Sequence, residues 1–222
     1  MTDQLTITDK QVRELVDRVK DHYHPNGCRY LISLAGVPGA GKTTFANKMA
    51  AELTKEVAST MVLSQDGFHL YRSELLSMSN AEEAIRRRGA PFTFNSTAFV
   101  KLVSQLKDKD TTVKAPSFDH SLKDPVEEDI VIDSSVEIVI IEGNYTSLKD
   151  PGWNDISSVV DDTWFISTPE SIIRSRIIKR HLEAGIAKTE QEAIERADGS
   201  DLQNAKYIME NSKITNVLIL AE

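Results

Sequence analysis

Two rhythms of apolar residues alternate along this chain. Short, nearly continuous apolar runs occupy residues 30–35, 60–65, 137–143, 163–167 and 217–220. Runs of this length read as strands, and continuous ones as strands covered on both faces. Between them, apolar positions recur at helical spacing: Val12, Leu15, Val16 and Val19 within 8–22, then Phe45, Met49 and Leu53 within 43–53. Phe99, Val100, Val103 and Leu106 continue the pattern within 96–107, and helices are expected over 169–184, 189–197 and 201–211. Residues 72–94 are mixed, 112–119 extended, and 129–133 a short strand candidate. Strands alternating with helices predict an α/β fold around a central parallel sheet. No repeat, low-complexity tract or linker interrupts the pattern, so residues 1–222 are expected to form a single domain.

The chemistry is concentrated after the first strand. Gly36, Val37, Pro38, Gly39, Ala40, Gly41, Lys42 and Thr43 form a complete G-x-x-x-x-G-K-[ST] loop, followed by Thr44. Strand, glycine loop and helix is the context this phosphate-binding motif requires. Its glycines let successive N–H groups point at phosphate oxygens, and the helix N-terminus adds partial positive charge. Lys42 is expected to reach the β- and γ-phosphates, and the Thr43 hydroxyl to hold Mg²⁺. The chain is therefore expected to bind a nucleoside triphosphate.

Composition removes some classes of partner. The net charge is −8, whereas a nucleic-acid groove needs a concentrated basic surface. Cys28 is the only cysteine, which argues against a disulfide framework and a thiolate zinc site. His22 and His24 lack partners at ligand spacing. No apolar run approaches a membrane span, and Met-Thr-Asp-Gln does not resemble a signal peptide. A cytoplasmic location is expected.

Asp66 stands at the end of the 60–65 run. At the carboxyl end of a strand it can accept the proton of a hydroxyl attacking a γ-phosphate; the alternative is a turn aspartate before Gly67. Glu142 closes the Ile138–Ile141 run, where a Walker B carboxylate would bind Mg²⁺ directly or through water. Arg176 and Arg180 share one face of the 169–184 helix and suit the charge on a transferring phosphoryl group, unless they simply form a solvated face. His69 and His120 follow aspartates closely and can contact a substrate hydroxyl. His181 fits either packing or phosphate contact. Within Arg86-Arg87-Arg88, the following turn makes Arg88 the best placed to face a ligand.

Taken in order, these segments resemble the uridine kinase, pantothenate kinase and phosphoribulokinase family of P-loop kinases, over roughly residues 30–210. The anchors are the phosphate loop, Asp66-Gly67-Phe68-His69, Arg88-Gly89-Ala90-Pro91-Phe92-Thr93-Phe94 and Pro116-Ser117-Phe118-Asp119-His120. Further anchors are Ile141-Glu142-Gly143-Asn144-Tyr145, the Arg176–His181 stretch and Asp201-Leu202-Gln203-Asn204. The resemblance implies a three-layer P-loop fold with a helical arginine lid over about 169–200, and Asp66 as base. It also implies substrate contacts from the Asp119-His120 segment and the Tyr145 region, with Arg88 and Phe92 among the anchors on the substrate side, and an adenine-side contact near Asn204. The acid-rich and hairpin segments depart from the uridine kinase pattern, and the Asp66-Gly67-Phe68-His69 and Glu142-Gly143-Asn144-Tyr145 segments look closer to a less characterised branch of nucleoside, sugar or glycerate kinases. An ATP- and Mg²⁺-dependent kinase acting on a small metabolite is expected, with a homo-oligomer common among such relatives. The competing expectations are a GTPase-type switch, weakened by the missing guanine signature, and a nucleotide-binding regulatory protein without transfer.

Overall fold

The computed structural model describes residues 7–25, 27–119 and 121–221. The first helix, α1 (Asp9–His22), starts at a reciprocal cap. The Thr8 hydroxyl accepts from the Gln11 amide at 3.2 Å, and the Gln11 side chain accepts from the Thr8 amide at 2.8 Å. Its buried stripe is the predicted Val12, Leu15, Val16 and Val19. Strand β1 (Tyr30–Gly36) follows, buried at every position, and the phosphate loop delivers the chain into α2 (Lys42–Glu56). Phe45, Met49 and Leu53 all face inward from α2.

Strand β2 (Thr60–Ser64) precedes two short helices, α3 (Arg72–Ser77) and α4 (Ala81–Arg86), which lie within the mixed stretch 72–94. Then come α5 (Ser96–Gln105), β3 (Val113–Asp119), β4 (Asp124–Ile132) and β5 (Ile138–Glu142). The chain closes with α6 (Ile156–Val159), β6 (Asp162–Ser167), α7 (Glu170–Glu183), α8 (Glu190–Arg196), α9 (Leu202–Asn211) and β7 (Val217–Leu220). A π-helical turn, Ala197–Asp201, fuses α8 to α9.

Five strands form one parallel sheet in the order β2-β5-β1-β6-β7. Glu142 is in register with Leu34 on one side and Ser64 on the other. The carboxyl ends of β1, β2 and β5 thus meet at one edge, where open α/β sheets gather their ligands. Among the described residues no helix is long and apolar enough to cross a membrane.

Two local features differ from the periodicity. The run expected to continue as strand to Gln65 breaks at Ser64, because Gln65–Phe68 coils into a 3-10 turn whose Asp66 amide is capped by the Ser64 hydroxyl at 3.3 Å. The 129–133 candidate belongs to the longer β4, which pairs antiparallel with β3 in a separate two-stranded ribbon. Its Glu127, Glu128 and Asp129 give it a solvent-facing character that central strands lack. The ribbon lies so close to the 3-10 turn that a Cβ on Gly67 would come within 2.1 Å of the Pro116 carbonyl oxygen.

Two buried charges hold the frame. Asp162 accepts from the Arg18 Nε at 2.7 Å and from the Trp164 indole at 2.8 Å. Asp162 is buried while Arg18 is part-exposed, so removing Arg18 would leave a buried carboxylate without its counter-charge. Arg29 is buried and donates to the carbonyls of Leu106, Asp108, Lys109, Thr111, Asp133 and Val136. It ties the turn after α5 and the end of β4 to the start of β1.

Candidate active site

The phosphate loop ends in a helix start without a side-chain cap, and within the loop the Ala40 amide donates to the Val37 carbonyl at 3.1 Å. Gly41 stands at the N-cap of α2 with φ +93, so no side chain caps that helix and no acid lies in its first turn. An uncapped helix start of this kind is suited to an anion. Ala40 is held by the Thr168 hydroxyl, which donates to its carbonyl at 3.2 Å. Val37 and Pro38 are buried beneath the loop, whereas Thr43 and Thr44 face solvent.

Lys42 is buried. Its Nζ donates to the Val37 carbonyl at 3.1 Å and to Asn144 Oδ1 at 2.6 Å. Burial pushes its pKa down to about 8; the Glu142 and Asp66 carboxylates oppose that shift and Arg180 adds to it. All three groups therefore lie within electrostatic reach of one ammonium. Glu142 is buried as well, and the Thr43 hydroxyl donates to its Oε1 at 3.4 Å. Burial raises the Glu142 pKa, while Lys42 and hydrogen bonds from Ser64 and Thr43 act against it. The Thr43 hydroxyl beside a buried carboxylate is a hard-oxygen donor set of the type Mg²⁺ takes alongside phosphate oxygens. The residues fit that ion.

Asp66 is half-buried in the 3-10 turn beyond β2, within electrostatic reach of Lys42 and Glu142. Its carbonyl accepts from His69 Nδ1 at 2.8 Å. The His69 ring is stacked between Phe94 and Phe118, with centroids 4.0 and 4.8 Å away. Arg88 donates to Asp124 at 3.0 Å and to the Leu70 carbonyl at 2.9 Å, tying α4 to the ribbon. Asp119 Oδ1 accepts from the Ser121 and Leu122 amides at 2.7 and 3.0 Å and so organises the ribbon's tip. His120 lies outside the described residues.

The lid packs directly on the phosphate loop. Arg176 Nη1 donates to the Gly39 carbonyl at 3.3 Å, while Ile173 and Ile177 are buried below it. Arg180 stands 3.7 Å from Asp201, which also pairs with the buried His181 at 3.0 Å. His181 is thus a packing residue with a charged partner. Behind the loop, a cleft of about 570 Å³ opens between β6, α7 and α9, lined by Val37, Ile173, Leu202, Gln203 and Met209 among others. Its size and apolar walls suit a heterocyclic base.

Two expected contacts sit differently from their neighbours. Tyr145 has no exposed surface; its hydroxyl donates to the Gly89 carbonyl and its ring packs on Phe94 and Trp153. Asn204 is buried, and accepts from Arg87 at 3.4 Å, whereas its neighbours Leu202, Gln203 and Ala205 line the cleft. Phe92 is 40% exposed, beside Arg87. Motif spacing singles out neither Asn144, which holds Lys42, nor Asp201, which holds the lid. Both lie within the anchor segments, but a motif does not say which of its residues will face inward.

A parallel α/β sheet whose edge joins a phosphate loop, a buried strand-end acid and an arginine lid is the framework of a P-loop kinase. A model of the Phosphoribulokinase / Uridine kinase family matches residues 31–190, and the chain belongs to that family. Over 194 residues it is 38% identical to "Putative uridine kinase C227.14" of Schizosaccharomyces pombe, covering 86% of this chain and 83% of that protein. It is 40% identical over 150 residues to "ATP-dependent kinase-like protein notR'" of Aspergillus versicolor, covering 66% and 87% respectively. A crystal structure of a "putative fructose transport system kinase" from Silicibacter sp. TM1040 superposes with a TM-score of 0.85 at 30% identity, over 93% of this chain and 98% of that one.

Proposed function

We propose that this kinase transfers the γ-phosphoryl group of ATP to a hydroxyl of a small metabolite. The observation that carries the reading is the meeting of Lys42, Thr43, Glu142 and Asp66 at one sheet edge. A phosphate loop with its acid accounts for nucleotide binding. A second carboxylate within reach of the same lysine accounts for an acceptor.

In this reading the amides of residues 36–44 and Lys42 Nζ hold the β- and γ-phosphates, and the cleft behind Val37 takes the adenine. Thr43 and Glu142 would hold Mg²⁺, which when bound screens the negative charge of the phosphates. Asp66 accepts the proton as the acceptor oxygen bonds to the γ-phosphorus and the bond to the ADP oxygen breaks. Arg176 and Arg180 offset charge on the transferring group from above. Little covalent work falls to the protein; positioning and electrostatic preorganisation supply the rate. The acceptor enters between the 3-10 turn, the β3–β4 ribbon and the end of α4, where His69, Arg88, Phe92 and Asp119 border the site.

The test is ADP release from Mg-ATP across nucleosides, pentoses, hexoses, pantothenate and glycerate. Release that depends on one class of acceptor, with a phosphorylated product, supports the reading. Slow release that no acceptor stimulates would contradict it.

A further inference from the structure

Arg87 and Arg88 are adjacent and both half-buried, yet their partners differ. Arg88 has an acid: Asp124 accepts from it at 3.0 Å, and its Nη2 also donates to the Leu70 carbonyl. Arg87 has none. Among the described residues no carboxylate lies within ion-pair distance of it. Its Nη2 donates at 3.4 Å to the neutral Asn204 side chain, and its Nε, like that of Arg88, is buried without a hydrogen-bond partner. The Phe92 ring, 6.0 Å away, adds only a cation–π contact. A guanidinium has five donors in a fixed fork, and withdrawing one from water without a counter-charge is unfavourable.

The location gives this spare charge a meaning. Arg87 crosses from the end of α4 to the first turn of α9, where Asn204 stands one turn beyond Asp201, the anchor of the lid. The charges of Arg87, Asp66 and Asp201 all act on the Tyr145 hydroxyl. Arg87 stands at the C-terminal end of α4, one of the elements that border the proposed acceptor site, and reaches from there to α9. A carboxylate or phosphate monoester is the planar or tripodal oxygen group that a guanidinium fork recognises.

We propose that Arg87 binds an anionic group on the phosphate acceptor, a carboxylate or a phosphate monoester, and so selects anionic over neutral hydroxyl compounds. This deepens the kinase reading and rests on it for the existence of an acceptor. The binding of an anion by Arg87 can be measured without turnover.

The full chain is saturated with Mg²⁺ and a non-hydrolysable ATP analogue, so that the phosphate loop is filled. It is then titrated calorimetrically with inorganic phosphate, malonate and glycerol. The wild type should bind one of the two anions and not glycerol, which also distinguishes a phosphate site from a carboxylate site. Arg87→Gln should weaken that anion by about tenfold or more. Arg87→Lys should fall between, because charge remains but the fork is lost. Asn204→Asp should weaken it too, by giving Arg87 an internal counter-charge, while Lys101→Gln on the exposed face of α5 should match the wild type. Saturable anion binding that is the same in Arg87→Gln, or no anion binding by the wild type, would overturn the inference.

A turnover arm compares D-ribose, D-ribonate and D-ribose 5-phosphate. A higher kcat/KM for an anionic member that collapses in Arg87→Gln, with KM for ATP unchanged, supports the inference, and preference for D-ribose contradicts it. If no compound of any charge is phosphorylated, the kinase reading is what fails, and the calorimetric arm still decides the role of Arg87.

Discussion

Gly39 of the phosphate loop lies directly under Ile177 of α7, so close that a Cβ on the glycine would come within 3.1 Å of both the Ile177 Cγ1 and the Ile173 carbonyl oxygen. Arg176 closes the same contact by donating to the Gly39 carbonyl. Loop and lid are one packed unit, and the position of the arginines depends on a missing side chain.

Gly39→Ala should therefore perturb two things at once. The φ of +78 disfavours any Cβ, and the lid helix must retreat to admit one. Urea unfolding is expected to show a loss of about 1–3 kcal/mol, with a raised KM for ATP. Gly185→Ala is the control: its φ is +63 but the space around it is open, so only the backbone part, about 1–2 kcal/mol, is expected and KM should hold. Equal behaviour of the two variants would mean that the lid contact does not matter.

Lys42 should leave a signature in the pH dependence of stability. Burial lowers its pKa from 10.5 to about 8 in the folded chain. Between those values the unfolded chain holds a proton that the folded one has released, so stability rises with pH. The contribution is fully present above 10.5 and is lost progressively as pH falls to about 8, with a span on the order of 3 kcal/mol. Urea midpoints from pH 7.5 to 9.5 should slope upward more steeply in the wild type than in Lys42→Met. Bound nucleotide should flatten the wild-type slope, because phosphate oxygens favour the charged ammonium. Parallel slopes in wild type and variant would contradict burial of the ammonium as the cause.

Much of this site is legible in the sequence. The loop is written by spacing alone, and Glu142 by an apolar run that ends in an acid. The end of an apolar run also locates Asp66, although the strand stops at Ser64 and a 3-10 turn presents the carboxylate. What spacing cannot encode is rotation within a segment. Of the three consecutive arginines, the turn that follows favours Arg88, which Asp124 holds at 3.0 Å, while Arg87 beside it has no carboxylate partner among the described residues. Tyr145 follows Glu142 in the same segment, yet Gln65 takes its amide at 3.0 Å and the ring turns into the core. The β3–β4 ribbon reads only as extended pieces because the usual glycine turn signal is absent; Lys123 adopts positive φ at the turn without it, and Glu128 does so within β4 where the register shifts.

His181 should titrate below its ordinary value of 6.5. Burial disfavours the imidazolium, Asp201 works against that shift, and Arg196 and Arg180 reinforce it. Its ring resonances followed by NMR from pH 4 to 8 should give a midpoint under 6.5. In Asp201→Asn the main opposing charge is gone, so the midpoint should move lower still and Arg180 should lose its anchor on the lid. A midpoint that rises in the variant would contradict the assignment of Asp201 as the partner of both lid residues.

In the proposed mechanism phosphoryl transfer depends on Asp66 as the group that receives the acceptor's proton, and Asp66→Asn tests this most directly. Single-turnover phosphoryl transfer with the best acceptor, beside calorimetric binding of the ATP analogue, should show a rate about 10²- to 10⁴-fold lower with nucleotide affinity within a few-fold of wild type. Near-normal transfer by Asp66→Asn would contradict the role of Asp66 as base, whatever the acceptor proves to be.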